Sequence, residues 1–145
     1  MALEQLYQDV LLEHNRRPCN HSRLSGATHA ARGQDASCGD DLLIELVIAG
    51  GRIQQAAFSG LACAVTTASA SMMTEWLTGR LAAEVQTGLE RFQALLEDPG
   101  AASDPALGPI NQLQPVGAFP ARRRNALLPW RTAVKALTAP VDRAE

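Results

Sequence analysis

Leu3, Leu6, Tyr7, Val10 and Leu11 recur at helical spacing with Glu4, Gln5, Asp9 and Glu13 between them, so an amphipathic helix is predicted from about Leu3 to His14. The period is lost from Asn15 to Arg32, where Pro18, Asn20, Ser22, Ser25 and Gly26 mark a long connection, part of it suited to an edge strand. A two-residue period begins after Asp41. Leu42, Ile44, Leu46 and Ile48 line one strand face, and Leu43, Glu45 and Val47 line the other. Gly50-Gly51 supplies the positive φ angles of a tight hairpin, and Ile53 to Phe58 returns as the antiparallel partner.

After Gly60 the chain turns to small residues, from Ala62 through Met73, which as a helix would let other backbones approach on nearly every side; this helix is expected to be buried. Leu81, Val85, Leu89, Phe92 and Leu96 predict another helix despite Gly88, ended by Asp98-Pro99-Gly100. Pro99 to Pro109 reads as an exposed connection, with a short helical turn near Asn111 to Gln114. Pro120 opens a last helix, which Pro129 is expected to kink or to confine to residues from about Trp130 onward. The order is helix, hairpin, then several helices. It describes an α+β domain, a small antiparallel β-sheet packed against several α-helices, in one unit over residues 1–145 with a frayed tail after about residue 138.

Charge narrows the function classes. The formal charge of −2 comes from interspersed residues, and the only basic run is Arg122-Arg123-Arg124, so no nucleic-acid partner is expected. The first residues lack the basic and apolar regions of a secretory signal, and no apolar run approaches the ~18 residues of a membrane span. A cytoplasmic protein with no membrane partner is the expectation. Three cysteines, Cys19, Cys38 and Cys63, are an odd number, which argues for reduced thiols rather than a disulfide framework.

Cys38-Gly39-Asp40 precedes the first clear strand, so a thiol and a carboxylate project from one loop, and both are competent zinc ligands. Cys63 falls at the start of the small-residue helix, where the helix dipole favours anions, thiolates included. Taken alone, each site also fits a small cysteine buried for packing. A hairpin brings its two ends side by side, so Cys38, Asp40 and Cys63 are expected to share one metal ion, with one coordination position open. A zinc hydrolase is disfavoured, because Asp40 would have to be both ligand and general base and no His-Glu-x-x-His cluster occurs.

Cys38-Gly39-Asp40, the run from Cys63 to Thr74, and Phe119-Pro120-Ala121-Arg122 resemble the SufU-type branch of the NifU-like (IscU-like) iron–sulfur assembly proteins. Leu6-Tyr7 through His14 and the Pro18–Asn20 turn resemble that family's opening segment, so the similarity extends to about Leu137. The resemblance implies a SufE/NifU-like fold and a site built from Cys38, Asp40, Cys63 and a fourth cysteine, whose position holds Asn125 here. It also implies that Arg122 lies near the site, pairing with Asp40 or stabilising thiolates, and acts in catalysis beside Cys63 and Cys38. Asp35-Ala36, Ala62 and Pro129 depart from the family pattern and are expected to loosen the ligand-bearing backbone. Cys19 and the histidines His14, His21 and His29 occupy no ligand position of the family.

The implied function is iron–sulfur cluster assembly, as a sulfur acceptor from a SufS-like cysteine desulfurase or as a cluster scaffold, with downstream assembly proteins as further partners. Such a chain is at most a sulfurtransferase-type accessory protein, a monomer or weak homodimer, with zinc the expected metal and an iron–sulfur cluster held only transiently. Asparagine offers a neutral, hard oxygen where soft anionic sulfur is wanted, so metal affinity is expected to fall. The competing reading is a degenerate, non-catalytic homologue serving as adaptor or regulator.

Overall fold

The computed structural model describes residue 5 and residues 7–142. Three strands form one antiparallel sheet in the order β1-β2-β3: β1 (His29–Asp35), β2 (Asp40–Ala49) and β3 (Arg52–Leu61). Gly50 and Gly51, at φ 60° and 75°, turn β2 into β3 as the sequence predicts. Leu42, Ile44 and Leu46 are fully buried on the core face. The register slips between Val47 and Ile48, and Ile48 packs against the core only half-buried. Glu45, expected on the outer face, is buried because the connection folds back over it: Arg23 pairs with its carboxylate and the Leu24 N–H donates to it.

Before the sheet, a π-helical turn (Tyr7–Leu11) runs into a short helix α1 (Leu12–Arg16), carrying Val10 and Leu11 into the core; the earlier residues of the predicted first helix, apart from Gln5, lie outside the described ones. The connection ends in β1, the edge strand anticipated within it, which extends to Asp35. Helix α2 (Ala64–Leu77) is the small-residue helix. It is buried along most of its length, and its interior hydroxyls all find partners. Helix α3 (Glu84–Glu97) starts three residues later than Leu81, whose N–H donates to the Glu84 carboxylate at 2.8 Å. Gly88 leaves room for the rings of Trp76 and Trp130, and Phe92 packs 5.2 Å from Trp130.

Two expectations are corrected. Pro105–Ala118 is a 3-10 segment broken only at Gly108, and it buries Leu107, Ile110, Leu113 and Val116. These residues repeat every third position, which is the period of a 3-10 helix and not of an α-helix, so one side of this proline-rich stretch faces the core. Helix α4 (Pro120–Ala136) continues through Pro129, which is buried. Proline cannot give an N–H to the carbonyl four residues back, here that of Asn125, but the Thr66 hydroxyl of α2 stands 3.3 Å from that oxygen. One turn further along α2, Ser69 donates to the Ala126 carbonyl at 2.5 Å. This stretch of the helix is thus tied to α2 through Ser69.

The expected tail is also tied down as far as Val141: the Ala30 N–H donates to Ala139, and the Val141 N–H donates to Thr28. Helix α4 packs across β1 and β2, and α2 lies between it and β3. Among the described residues no helix is long and apolar enough to cross a membrane.

Candidate functional site

Cys38 sits in the four-residue turn that joins β1 to β2. Gly39 takes φ 74°, and Asp35 closes the turn by accepting from the Ser37 N–H (3.0 Å) and hydroxyl (2.6 Å). Those Ser37 hydrogen bonds, with Arg124 at 3.6 Å, hold the Asp35 carboxyl below its usual range. The Asp35-Ala36 departure therefore leaves this loop anchored, not loosened. The anchoring arginine is Arg124, which also donates to Ser37.

Asp40 opens β2 and is buried. Cys63 is the N-cap of α2, brought beside Asp40 by the β2–β3 pairing that sets Asp41 opposite Leu61. The Cys63 N–H donates to Asp40 Oδ1 at 2.8 Å, so the carboxylate lies at the positive end of the helix. Thr66 Oγ1 is 2.6 Å from Asp40 Oδ2 and 3.3 Å from Cys63 Sγ. A hydroxyl has one proton and the shorter bond to Asp40 takes it, so at Cys63 the thiol is the donor.

Asn125 reaches the same point from α4, with no exposed surface. Its Nδ2 donates to Asp40 Oδ2 at 3.1 Å, and its Oδ1 accepts from the Cys38 thiol at 3.6 Å. The structure therefore brings Cys38, Asp40, Cys63 and Asn125 together. Thr66 was missed in the sequence, although it lies three residues after Cys63 and hence on the same helix face.

Arg122 is not part of this constellation. It is exposed, and the hydrogen bonds of Asp40 come from Cys63, Thr66 and Asn125 instead. A buried carboxylate with three neutral donors leaves no role for a guanidinium that α4 turns outward. Cys19 lies beside Ser71 and Thr74, roughly 12 Å further along α2 than Cys63. His14 bonds Ser71, His21 stacks on Phe58 and His29 bonds Thr28, so the histidines are engaged elsewhere.

Two thiols and a carboxylate suit zinc by type, but their arrangement does not. Among the described residues no three His, Cys, Asp or Glu side chains are placed to hold one metal ion. Both oxygens of Asp40 already accept protein hydrogen bonds, and an amide nitrogen, which has no lone pair to offer, points at it. The residues as they stand present two thiols to each other's surroundings, and all three cysteines are free.

The model of the NifU-like N terminal domain matches residues 6–124, most of the chain. The chain belongs to that family. It is 30% identical over 136 residues to the zinc-dependent sulfurtransferase SufU of Bacillus subtilis, covering 92% of this chain and 90% of that protein. It is 29% identical over 135 residues to the iron-sulfur cluster assembly scaffold protein IscU of Streptococcus pyogenes, covering 93% of this chain and 84% of that one. Among solved structures it resembles the protein named putative iron-sulfur cluster assembly scaffold protein for the SUF system from Fervidobacterium islandicum, with a TM-score of 0.84, 26% identity, and coverage of 94% of this chain and 100% of that one. The three-stranded antiparallel sheet with its helices is the NifU-like scaffold fold. The family match ends one residue before Asn125.

Proposed function

We propose that this chain works in iron–sulfur cluster assembly as a sulfur acceptor from a cysteine desulfurase, with Cys63 and Cys38 as the candidate thiols. The observation that supports this most directly is the meeting of two half-buried thiols, from the β1–β2 turn and the α2 N-terminus, around one bonded pair, Asp40 and Asn125. In the transfer step a thiolate of this chain attacks the terminal sulfur of the desulfurase's cysteine persulfide. The old S–S bond breaks, a new one forms on Cys63 or Cys38, and the desulfurase thiolate leaves and recovers the proton. No outside oxidant or reductant is consumed. Free thiols match work in the reducing cytoplasm.

Zinc held by Cys38, Asp40 and Cys63, or a cluster formed there transiently, requires Asn125 to let go of Asp40. Thiol chemistry is what the residues offer without rearrangement.

The adaptor reading is favoured by one observation: Asn125 fills the corner where the resemblance implies a fourth cysteine, so one thiol of that set is gone. Incubation with a pyridoxal-phosphate-dependent cysteine desulfurase and cysteine, followed by mass spectrometry of trapped persulfides, separates the two. Added sulfur on Cys63 or Cys38, lost in Cys63→Ser or Cys38→Ser, supports the acceptor. Unchanged desulfurase stimulation by the Cys38→Ser/Cys63→Ser double variant, with no sulfur on wild type, supports the adaptor.

A further inference from the structure

We propose that the Asn125 side chain, backed by Thr66, takes the place of a metal in this site: it cross-links the Cys38 turn, Asp40 and α4 into an ordered dithiol site that needs no metal ion. The inference deepens the acceptor reading, and it rests on that reading for the use of the thiols though not for the geometry.

A tetrahedral metal site requires four donors whose lone pairs converge on one point. Here the two ends of the Asn125 amide face different partners. Nδ2 donates to Asp40 Oδ2 at 3.1 Å, while Oδ1 takes the Cys38 thiol proton at 3.6 Å. The lone pairs that would meet at a metal are thus turned toward protein protons. Asp40 is the hub, accepting from Cys63 N–H through Oδ1 and from Thr66 and Asn125 through Oδ2. Three of the roughly four acceptor positions of a carboxylate are filled.

An incoming ion would have to part Asn125 from Asp40 and turn Thr66 away. Both side chains are fully buried, so the amide N–H groups and the hydroxyl would be left without partners, and that loss opposes binding. A neutral amide oxygen would offer little in return where soft sulfur is wanted. The same three elements that a metal would join, the β1–β2 turn, the α2 N-terminus and α4, are already joined by these bonds. One functional consequence is that neither thiol has to be displaced from a metal before it attacks.

The test uses the full chain, loaded with zinc and gel-filtered, then assayed for zinc and for melting temperature with and without chelator. Wild type is expected to retain well under one zinc per chain and to melt at the same temperature either way. Asn125→Cys is expected to retain zinc and, at a hundredfold excess over its dissociation constant, to gain roughly 10 °C. Asn125→Ala should melt lower, should not be rescued by zinc, and should alkylate at Cys38 several-fold faster, a change that mere loss of stability far below the melting temperature would not give. Tight retention of zinc by wild type with a lower melt on chelation overturns the proposal, as does an unchanged alkylation rate in Asn125→Ala. Should Asn125→Cys not fold, the wild-type zinc content and the Asn125→Ala alkylation rate still decide. None of these readouts involves a desulfurase, so failure of the clamp and failure of sulfur acceptance are told apart.

Discussion

Asn125 Nδ2 lies 3.1 Å from Asp40 Oδ2, a hydrogen bond between two buried side chains 85 residues apart in sequence, one on α4 and one at the start of β2. It fixes the distance between the helix layer and the sheet edge at the point where both thiols emerge. The bonds that join Cys38, Cys63, Thr66 and Asn125 either end on Asp40 or are made by a residue that bonds it.

Replacing Asp40 should therefore affect stability as well as reactivity. Asp40→Asn keeps the shape but places a second amide against donors from Asn125, Thr66 and Cys63, so at least one buried N–H or O–H loses its acceptor. A loss of about 2–3 kcal/mol is expected from urea unfolding. A variant as stable as wild type would show that the carboxylate is not the hub.

Thr66→Val, nearly isosteric, removes the hydroxyl that bonds Asp40 and stands by the Asn125 carbonyl left free by Pro129. A cost of about 1–3 kcal/mol is expected, with Thr66→Ser recovering much of it. A variant as stable as wild type by urea unfolding would show that the Thr66 hydroxyl does not secure Asp40.

The parts of the fold written in side-chain periodicity were legible in the sequence. Leu42, Ile44 and Leu46 alternate, Gly50-Gly51 turns, and the small residues after Cys63 mark a helix approached on all sides. The meeting of Cys38, Asp40 and Cys63 followed from hairpin geometry. What could not be read locally depended on partners distant in sequence. Pro129 looked like a break because the Ser69 hydroxyl that ties α4 to α2 beside it lies on another helix. Leu107, Ile110, Leu113 and Val116 carried a legible period, but of three rather than 3.6 residues, inside a segment whose prolines suggested a loop. Arg122 was expected beside Asp40 or the thiolates, but the arginine bound at the site is Arg124, on Asp35, because helical rotation, not motif membership, decides which side chain faces the turn.

Gly60 should resist substitution. It takes φ 106°, and a Cβ there would run into the backbone carbonyl of Asp41 just before the strand end that carries Cys63 into place. Gly60→Ala is expected to cost about 2–4 kcal/mol by urea unfolding, from backbone strain and displacement of the paired strand. A near-neutral result would show that the β2–β3 end relaxes freely, and Cys63 alkylation would then be the measure of how far it moves.

Ser69 is buried between two elements, donating to the Ala126 carbonyl and accepting from Trp130 Nε1 at 3.2 Å. Ser69→Ala strands the indole N–H in the core, where Trp130 has no exposed surface, and should cost about 1–3 kcal/mol. A fluorescence change at Trp130 without loss of stability would mean that the ring finds another acceptor.

Acidification should weaken the fold through His14. Burial against α2, where Nδ1 lies 2.7 Å from the Ser71 hydroxyl, holds its pKa below the ordinary value of 6.5, with the carboxylates of Glu13 and Glu75 opposing the shift. The unfolded chain thus takes up this proton first. Stability from His14 is present above about pH 6.5 and is lost as pH falls from there through the lowered folded pKa. The carboxyls of Asp35, held down first by Ser37, and Asp104, held down first by Arg91, act in a lower window, below the usual carboxylate pKa of 3.8. Urea midpoints at about pH 7.5 and 5.5 separate the two ranges. Wild type should lose stability between them, and His14→Gln, which keeps a polar group near Ser71 but cannot titrate, should lose measurably less. Equal losses in both proteins would place the acid sensitivity on other groups.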